Sequence, residues 1–192
     1  MSNLPPYDLL DPRVQKTIDC LYEAFTNLLE EKHYRYIKIQ DIAKTARINR
    51  ATFYNHFENM ADFIVYCTRE GFRRDVLVEF RTKDFMPNKE NFNRLVVCVL
   101  TFMSEEFSKW HYRWDEILFE KALRVELYHY LSIWFPNKKQ VVSAFGNSTA
   151  LLISSGITGL GMVWCSQGCI EPVDELSLRI INVFAEGLRE LE

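Results

Sequence analysis

Residues 42–57 constrain this chain more than any other stretch. They read as two short helices joined by a tight turn. Ile42, Ala43 and Ala46 share one face of the first helix. Ile48 plugs the turn, and Phe53 and Phe57 form the buried stripe of the second. Asn49 is a good N-cap, because its side-chain oxygen can take an orphan N–H of the second helix. The outward face of that helix carries Arg50, Thr52, Tyr54, Asn55 and His56, with no acidic residue among them. A short helix that is apolar below and cationic or polar above fits the major groove of DNA.

Charge supports that reading. The whole chain is slightly acidic, at net −3. Between residues 32 and 57, however, Lys32, Arg35, Lys38, Lys44, Arg47 and Arg50 stand against Asp41 alone. A basic patch on an acidic protein is an electrostatic footprint for phosphate.

The segment resembles the TetR family of transcriptional regulators. The family's pattern is an Ile-Ala pair, a small residue three further on, a short turn, a polar cap, then Thr-(Leu/Phe)-Tyr-x-His-Phe. Here these are Ile42-Ala43, Ala46, Asn49 and Thr52-Phe53-Tyr54-Asn55-His56-Phe57. The resemblance implies that Arg50, Ala51, Thr52, Tyr54 and His56 face DNA, with Lys38 and Gln40 at the start of the preceding helix. It implies phosphate contacts for Tyr54 and His56, and places near base edges for Gln40, Arg50 and Thr52. The chain departs from the family twice. Arg47 stands where the family has Gly in the turn, which costs roughly 1 kcal/mol if the position needs a positive φ. In another turn geometry Arg47 can reach a phosphate. Met60 stands where the family tends to place a Lys, so one backbone contact is missing.

A chain of 192 residues holds one large or two small domains. At 48% hydrophobic it can bury a substantial core, and the scarcity of Gly and Pro favours long helices over a turn-rich β fold. The expected fold is all-α. No apolar run is read as reaching the ~18–20 residues of a membrane span. Residues Met1 to Leu10 show no basic region followed by an apolar one, so no secretory signal is read there and a cytoplasmic protein is expected. Cys20, Cys67, Cys98, Cys165 and Cys169 are scattered and odd in number, which favours buried free thiols over disulfides. Cys165 and Cys169 lie four apart, but this is not metal-ligand spacing and no third ligand is near.

Helices succeed one another with clear punctuation. Asp11-Pro12 supplies an N-cap and a first-turn Pro, and Val14, Ile18, Leu21, Phe25 and Leu28 carry a helical stripe to about Lys32. One long helix is expected from Asn59 to about Arg81, another from about Glu90 to Trp110, and one or two from Trp114 to Phe135. Residues 138–166 read as a long apolar helix. Glu171-Pro172 restarts a last one, to about Leu191. Residues 1–60 are thus expected to form the helix-turn-helix DNA-binding domain, and 61–192 a helical effector-binding and dimerisation domain.

The last two helices carry a second argument. Leu152, Gly156, Gly159 and Val163 recur at helical spacing within an otherwise apolar helix, which implies burial on more than one side. Leu176, Ile180 and Phe184 stripe the final helix. Together they are expected to form the interface of a homodimer, since helix-turn-helix proteins read paired half-sites. Gly156-x-x-Gly159-x-Gly161 is preceded by no strand and is not a nucleotide loop. Together with Trp164 just after it, this run loosely resembles the branch related to dihydroxyacetone kinase regulators, which implies control by a partner protein in place of a ligand.

No catalytic or cofactor signature is found. The four histidines lack metal spacing, and Glu105-Glu106, Glu116 and Glu120 read as solvated helix faces. The aromatic surplus between Phe92 and Trp134 suggests an apolar effector pocket, with Phe102, Trp110, Trp114, Phe119 and Tyr128 as candidates. The expected partners are therefore double-stranded operator DNA, a second copy of the chain, and an apolar small molecule or a partner protein, with no membrane. Repression is the mode the resemblance implies.

Overall fold

A computed structural model of the chain describes residues 9–81, 88–110, 115–134 and 147–189. Among these the secondary structure is helical throughout: α1 (Pro12–Glu31), α2 (Ile39–Thr45), α3 (Arg50–Tyr54), α4 (Met60–Phe72), α5 (Lys89–Trp110), α6 (Glu116–Trp134), α7 (Ser148–Ser166) and α8 (Val173–Arg189). The all-α expectation holds. The chain divides into two compact units, residues 1–71 with 109–122, and residues 72–108 with 123–192.

The first unit is organised around α1. Asp11 accepts the Arg13 N–H at 2.8 Å and Pro12 opens the helix, as the sequence indicates. Ile18, Leu21, Phe25, Leu28 and Leu29 turn inward and meet Ile42, Phe53, Phe57 and Phe63. Phe63 of α4 is the hub. Its ring lies 5.5 Å from Phe25, 5.5 Å from Phe53 and 5.0 Å from Phe57, each edge-on. Edge-to-face pairs of this kind add roughly 0.5–1.5 kcal/mol each beyond their area burial. Two short helices that are unstable alone are thereby fixed from below.

The second unit corrects one expectation. The helix foreseen from Asn59 to Arg81 does not run through. It ends at Phe72, gives way to a π-helical turn at Arg73–Leu77, and closes in a 3₁₀ turn at Glu79–Arg81. The cause lies in α6. Glu126 takes two hydrogen bonds from Arg73, and the Tyr130 hydroxyl donates to the Phe80 carbonyl at 2.6 Å. Glu126 and Tyr130 are one helical turn apart, so a single face of α6 grips both ends of the irregular stretch. The altered winding buries Val76, Leu77 and Phe80 together.

α5, α7 and α8 complete the unit. Leu95, Val99 and Met103 of α5 are buried, as are Ile153, Ile157 and Trp164 of α7. A Cβ on Gly161 would lie 2.7 Å from the Met103 sulfur and 3.2 Å from Leu100, so glycine is what lets α7 approach α5. A Cβ on Gly156 would meet the Phe184 ring at 2.7 Å, so it does the same toward α8. Asn147 caps α7, with its side chain accepting the Ala150 N–H. The part of the foreseen helix before it, 138–146, lies outside the described residues. By length and composition alone α7 is apolar enough to cross a membrane, which corrects the expectation that no apolar run reaches that length. Its buried positions make it a core helix of this unit.

Candidate nucleic-acid interface

The site is built from α2, the turn after it, and α3. α2 buries Ile42 and Ala43 and ends at Ala46. The Ile48 N–H then donates to the Ala43 carbonyl at 3.0 Å, and the Arg47 N–H to the Lys44 carbonyl at 3.2 Å. This double bond pattern is a Schellman termination, which sets the residue after the cap in the left-handed region. That residue is Arg47, with φ 57°. Of the two geometries open to the turn, the chain adopts the strained one and keeps a non-glycine there. The C-terminal carbonyls of α2 are satisfied in return.

Asn49 caps α3 as expected, accepting the Ala51 N–H at 2.8 Å. Within α3 only Phe53 is buried. Arg50, Ala51, Tyr54 and Asn55 are exposed, and Thr52 and His56 half-buried. The Arg50 guanidinium donates to the Tyr54 hydroxyl at 2.9 Å and sits 5.3 Å from the ring centroid. One turn of helix thus presents a cation and a phenol as a joined pair. Burial pushes the His56 imidazole below its ordinary value. It therefore offers a neutral N–H donor around neutral pH.

Lys38 and Gln40 are exposed at the start of α2. Asp41, the one acid in the basic stretch, is turned to structural use. Its carboxylate accepts the Lys38 backbone N–H at 3.0 Å and the Lys32 ammonium at 3.1 Å. These two donors hold its carboxyl below the usual range. In the charge balance Asp41 figures only as opposing charge. Its place three residues after Lys38 lets its side chain reach back to the N-cap N–H, one half of a capping box, since the Lys38 side chain has no acceptor to return the bond. A second tie lies beyond local reading: the Tyr34 hydroxyl donates to Asp115 at 2.6 Å, across 81 residues.

Residues 21–67 match the model for bacterial regulatory proteins of the tetR family. This segment is a TetR-family DNA-binding domain. The TetR-type residues gathered by α2, the turn and α3 fall inside the matched segment. Among relatives, the HTH-type dhaKLM operon transcriptional activator DhaS of Lactococcus lactis subsp. lactis (strain IL1403) is 24% identical over 121 residues, covering 56% of this chain and 63% of that protein. The uncharacterized HTH-type transcriptional regulator YxbF of Bacillus subtilis (strain 168) is 41% identical over 56 residues, covering 29% of this chain and 15% of that protein. The chain thus spans less than two thirds of the length of either. A TetR transcriptional regulator from Streptococcus agalactiae 2603V has the same fold, with TM-score 0.57, 21% identity, and coverage of 90% of this chain and 95% of that one.

The other candidate residues are dispersed. Phe102 is buried, with its ring 5.5 Å from Phe72 in the second unit. Phe119 is buried in the first unit. The Tyr128 hydroxyl accepts the Asn147 N–H at 3.3 Å. Trp114 and the side chain of Trp110 lie outside the described residues. On α7, Leu152 and Val163 are exposed, and Gly159 opens onto space with no heavy atom within 4 Å of an added Cβ. On α8, Leu176 and Ile180 are instead buried inside their own unit, and Phe184 lies over Gly156. Among the described side chains of α8 the outward apolar residues are Leu178 and Val183, which the helical stripe does not single out because it tracks the inward face.

Cys67 and Cys165 are buried, whereas Cys20, Cys98 and Cys169 are half-buried. Burial pushes the Cys67 thiol well up. The Cys165 thiol is raised to about 12, first by burial and then by the neighbouring Cys169.

Proposed function

We propose that this chain is a TetR-type transcriptional regulator that acts in the cytoplasm and binds a palindromic operator as a homodimer. The observation that carries the reading is the outward face of α3: Arg50, Tyr54, Asn55 and His56 stand over the Phe53–Phe57–Phe63 cluster, within a TetR-family DNA-binding domain. Tyr54, His56 and Arg47 serve as phosphate ligands, and Gln40, Arg50 and Thr52 read base edges. Dimerisation uses Leu152, Gly159, Leu160 and Val163 of α7 with Leu178 and Val183 of α8, an apolar face left open in the single chain. Two copies then present recognition helices to half-sites ~34–36 Å apart.

Electrophoretic shifts on the promoter upstream of the chain's own gene test DNA binding. Tyr54→Ala is expected to weaken binding to every sequence, since phosphate contacts position without reading bases. Arg50→Ala is expected also to change base preference. Wild-type binding that ignores salt would overturn the reading, because phosphate contacts release counterions. Light scattering tests assembly. Gly159→Glu has room for its side chain in the single chain, so it is expected to give a folded monomer. A wild type that is monomeric at micromolar concentration removes the dimer.

The helical second unit is the seat of control, by an apolar ligand or by a partner protein. The buried state of Phe102 and Phe119 and the likeness to DhaS support the partner protein. Thermal-shift screening with apolar compounds separates the two, because a ligand specific to the folded state raises the melting temperature by mass action. Repression is the sign carried from the family. A promoter-reporter assay decides between it and activation, the mode stated in the name of the Lactococcus relative.

A further inference from the structure

Between α1 and α2 the chain makes a short 3₁₀ turn, Tyr34–Tyr36. The turn is pinned from three sides. His33 Nδ1 accepts the Arg35 N–H at 3.2 Å, Tyr34 donates its hydroxyl to Asp115, and Ile37 is buried. What it holds outward is different in kind. Arg35 is exposed, and Tyr36 is 72% exposed with its ring edge-on to His33 at 6.4 Å. The Arg35 guanidinium stays near Tyr34, Nε to hydroxyl at 3.4 Å, so it too has a preferred place.

The backbone then links this pair to the interface already described. Ile37 is extended, at φ −85° and ψ 121°. Alternate residues of an extended segment point to the same side, so Tyr36 and Lys38 flank the buried Ile37 and both face away from the core. From Lys32 to Gln40 there is no acidic residue, and the Asp41 carboxylate is already taken by Lys32 and the Lys38 N–H. Arg35, Tyr36, Lys38 and Gln40 therefore form one continuous exposed run of cations, a phenol and an amide.

We propose that the Arg35–Tyr36 turn is an outer arm of the DNA contact surface, with Arg35 on a phosphate outside those assigned to Arg47, Tyr54 and His56, and the Tyr36 ring and hydroxyl against the sugar–phosphate backbone. This rests on the DNA-binding reading above. The partner class is set by chemistry. An exposed guanidinium beside an exposed phenol, with Asp115 the acid nearest to it through the Tyr34 hydroxyl and none in the chain from Lys32 to Gln40, suits a polyanionic backbone, and phosphate contacts draw on both residue types. Pinning the turn in advance reduces the ordering cost of the contact.

The test is fluorescence anisotropy of the full chain on a labelled duplex of arbitrary sequence, over a range of salt. Arg35→Gln is expected to lower the magnitude of the slope of log K against log salt by about 0.9, the share of one phosphate. Arg35→Lys is expected to restore it. Tyr36→Ala is expected to weaken binding about two- to tenfold, the range for one net hydrogen bond, with little change in slope. All three variants should melt like the wild type, since exposed positions tolerate change. If the wild type shows no salt-dependent binding, the DNA-binding reading itself fails. If the wild type binds with a steep slope and both Arg35→Gln and Tyr36→Ala match it, the arm is not a DNA contact. Its exposed residues then face another protein or solvent.

Discussion

Arg73 holds the Glu126 carboxylate with two nitrogens at once, Nε to Oε2 at 2.6 Å and Nη2 to Oε1 at 2.8 Å. Glu126 is only 4% exposed. Removing Glu126 takes the bidentate carboxylate away from Arg73, whose side chain is only 17% exposed. Glu126→Ala is therefore expected to cost about 3–5 kcal/mol. The double variant Arg73→Met with Glu126→Leu should recover most of that loss, because apolar replacements need no desolvation. Urea denaturation of the two variants checks the order, and a Glu126→Ala midpoint equal to wild type would show the pair to be inert.

Arg47 lies at φ 57°, where a glycine has no steric penalty. Arg47→Gly is expected to raise stability by roughly 1 kcal/mol, less the extra chain entropy of an unfolded glycine. The same change removes a cation from the proposed phosphate surface. Stability and DNA affinity should therefore move in opposite directions, read by urea midpoints and by anisotropy. A glycine variant that loses on both counts would show that the Arg47 side chain supports the turn itself.

Burial holds the His56 imidazole below its ordinary value of 6.5. As pH falls through about 6.5, the unfolded chain takes up a proton that the folded chain does not yet bind. The stability tied to a neutral His56 is thus present above that pH and is lost as pH falls through the lowered folded value. His56→Gln should flatten this limb of the curve. Urea midpoints at a series of pH values between about 7.5 and 5 measure it, spanning the histidine range. Identical limbs in both proteins would place the titration elsewhere.

Gly161 faces Met103 and Leu100 with no room for a methyl group. Gly161→Ala presses on the flexible end of Met103 and on Leu100, and is expected to cost at most about 2 kcal/mol, the strain of added bulk less about 1 kcal/mol gained by Ala in a helix. A thermal melt suffices to see it. An unchanged melting temperature would mean that Met103 moves aside freely.

The legible parts of this molecule are the local ones. Asp11-Pro12, the Asn49 cap and the Phe53–Phe57 stripe each act within a few residues, so the sequence carries them openly. The helix-turn-helix is readable for the same reason. The interruption of α4 is not, because its causes sit 53 and 50 residues away, in Glu126 and Tyr130. The two faces of α8 are confused on similar grounds. Periodicity finds an apolar stripe but does not say what covers it, and Leu176 and Ile180 are covered by their own chain while Leu178 and Val183 are not. Of the candidate interface residues, the outward set of α3 is plain from the helical spacing. The capping use of Asp41 is within reach of the capping rules, yet its charge hides it among the basic residues around it.

The π turn at Arg73–Leu77 has a consequence for chain length. A π turn is an α-helical path that has absorbed a surplus residue, and each residue of an α-helix turns the chain by about 100°. Deleting a residue from a regular helix would swing everything beyond it onto the wrong face. Here the loss of exposed Arg74 or Asp75 can be taken up by rewinding the turn to ordinary α pitch, leaving Phe72 and Phe80 on the faces they already occupy. Among the described helices, the stretch is where loss of one residue is expected to do least harm. The register between Phe72 on one side of it and Phe80 on the other is set by tertiary ties instead of by the number of residues between them.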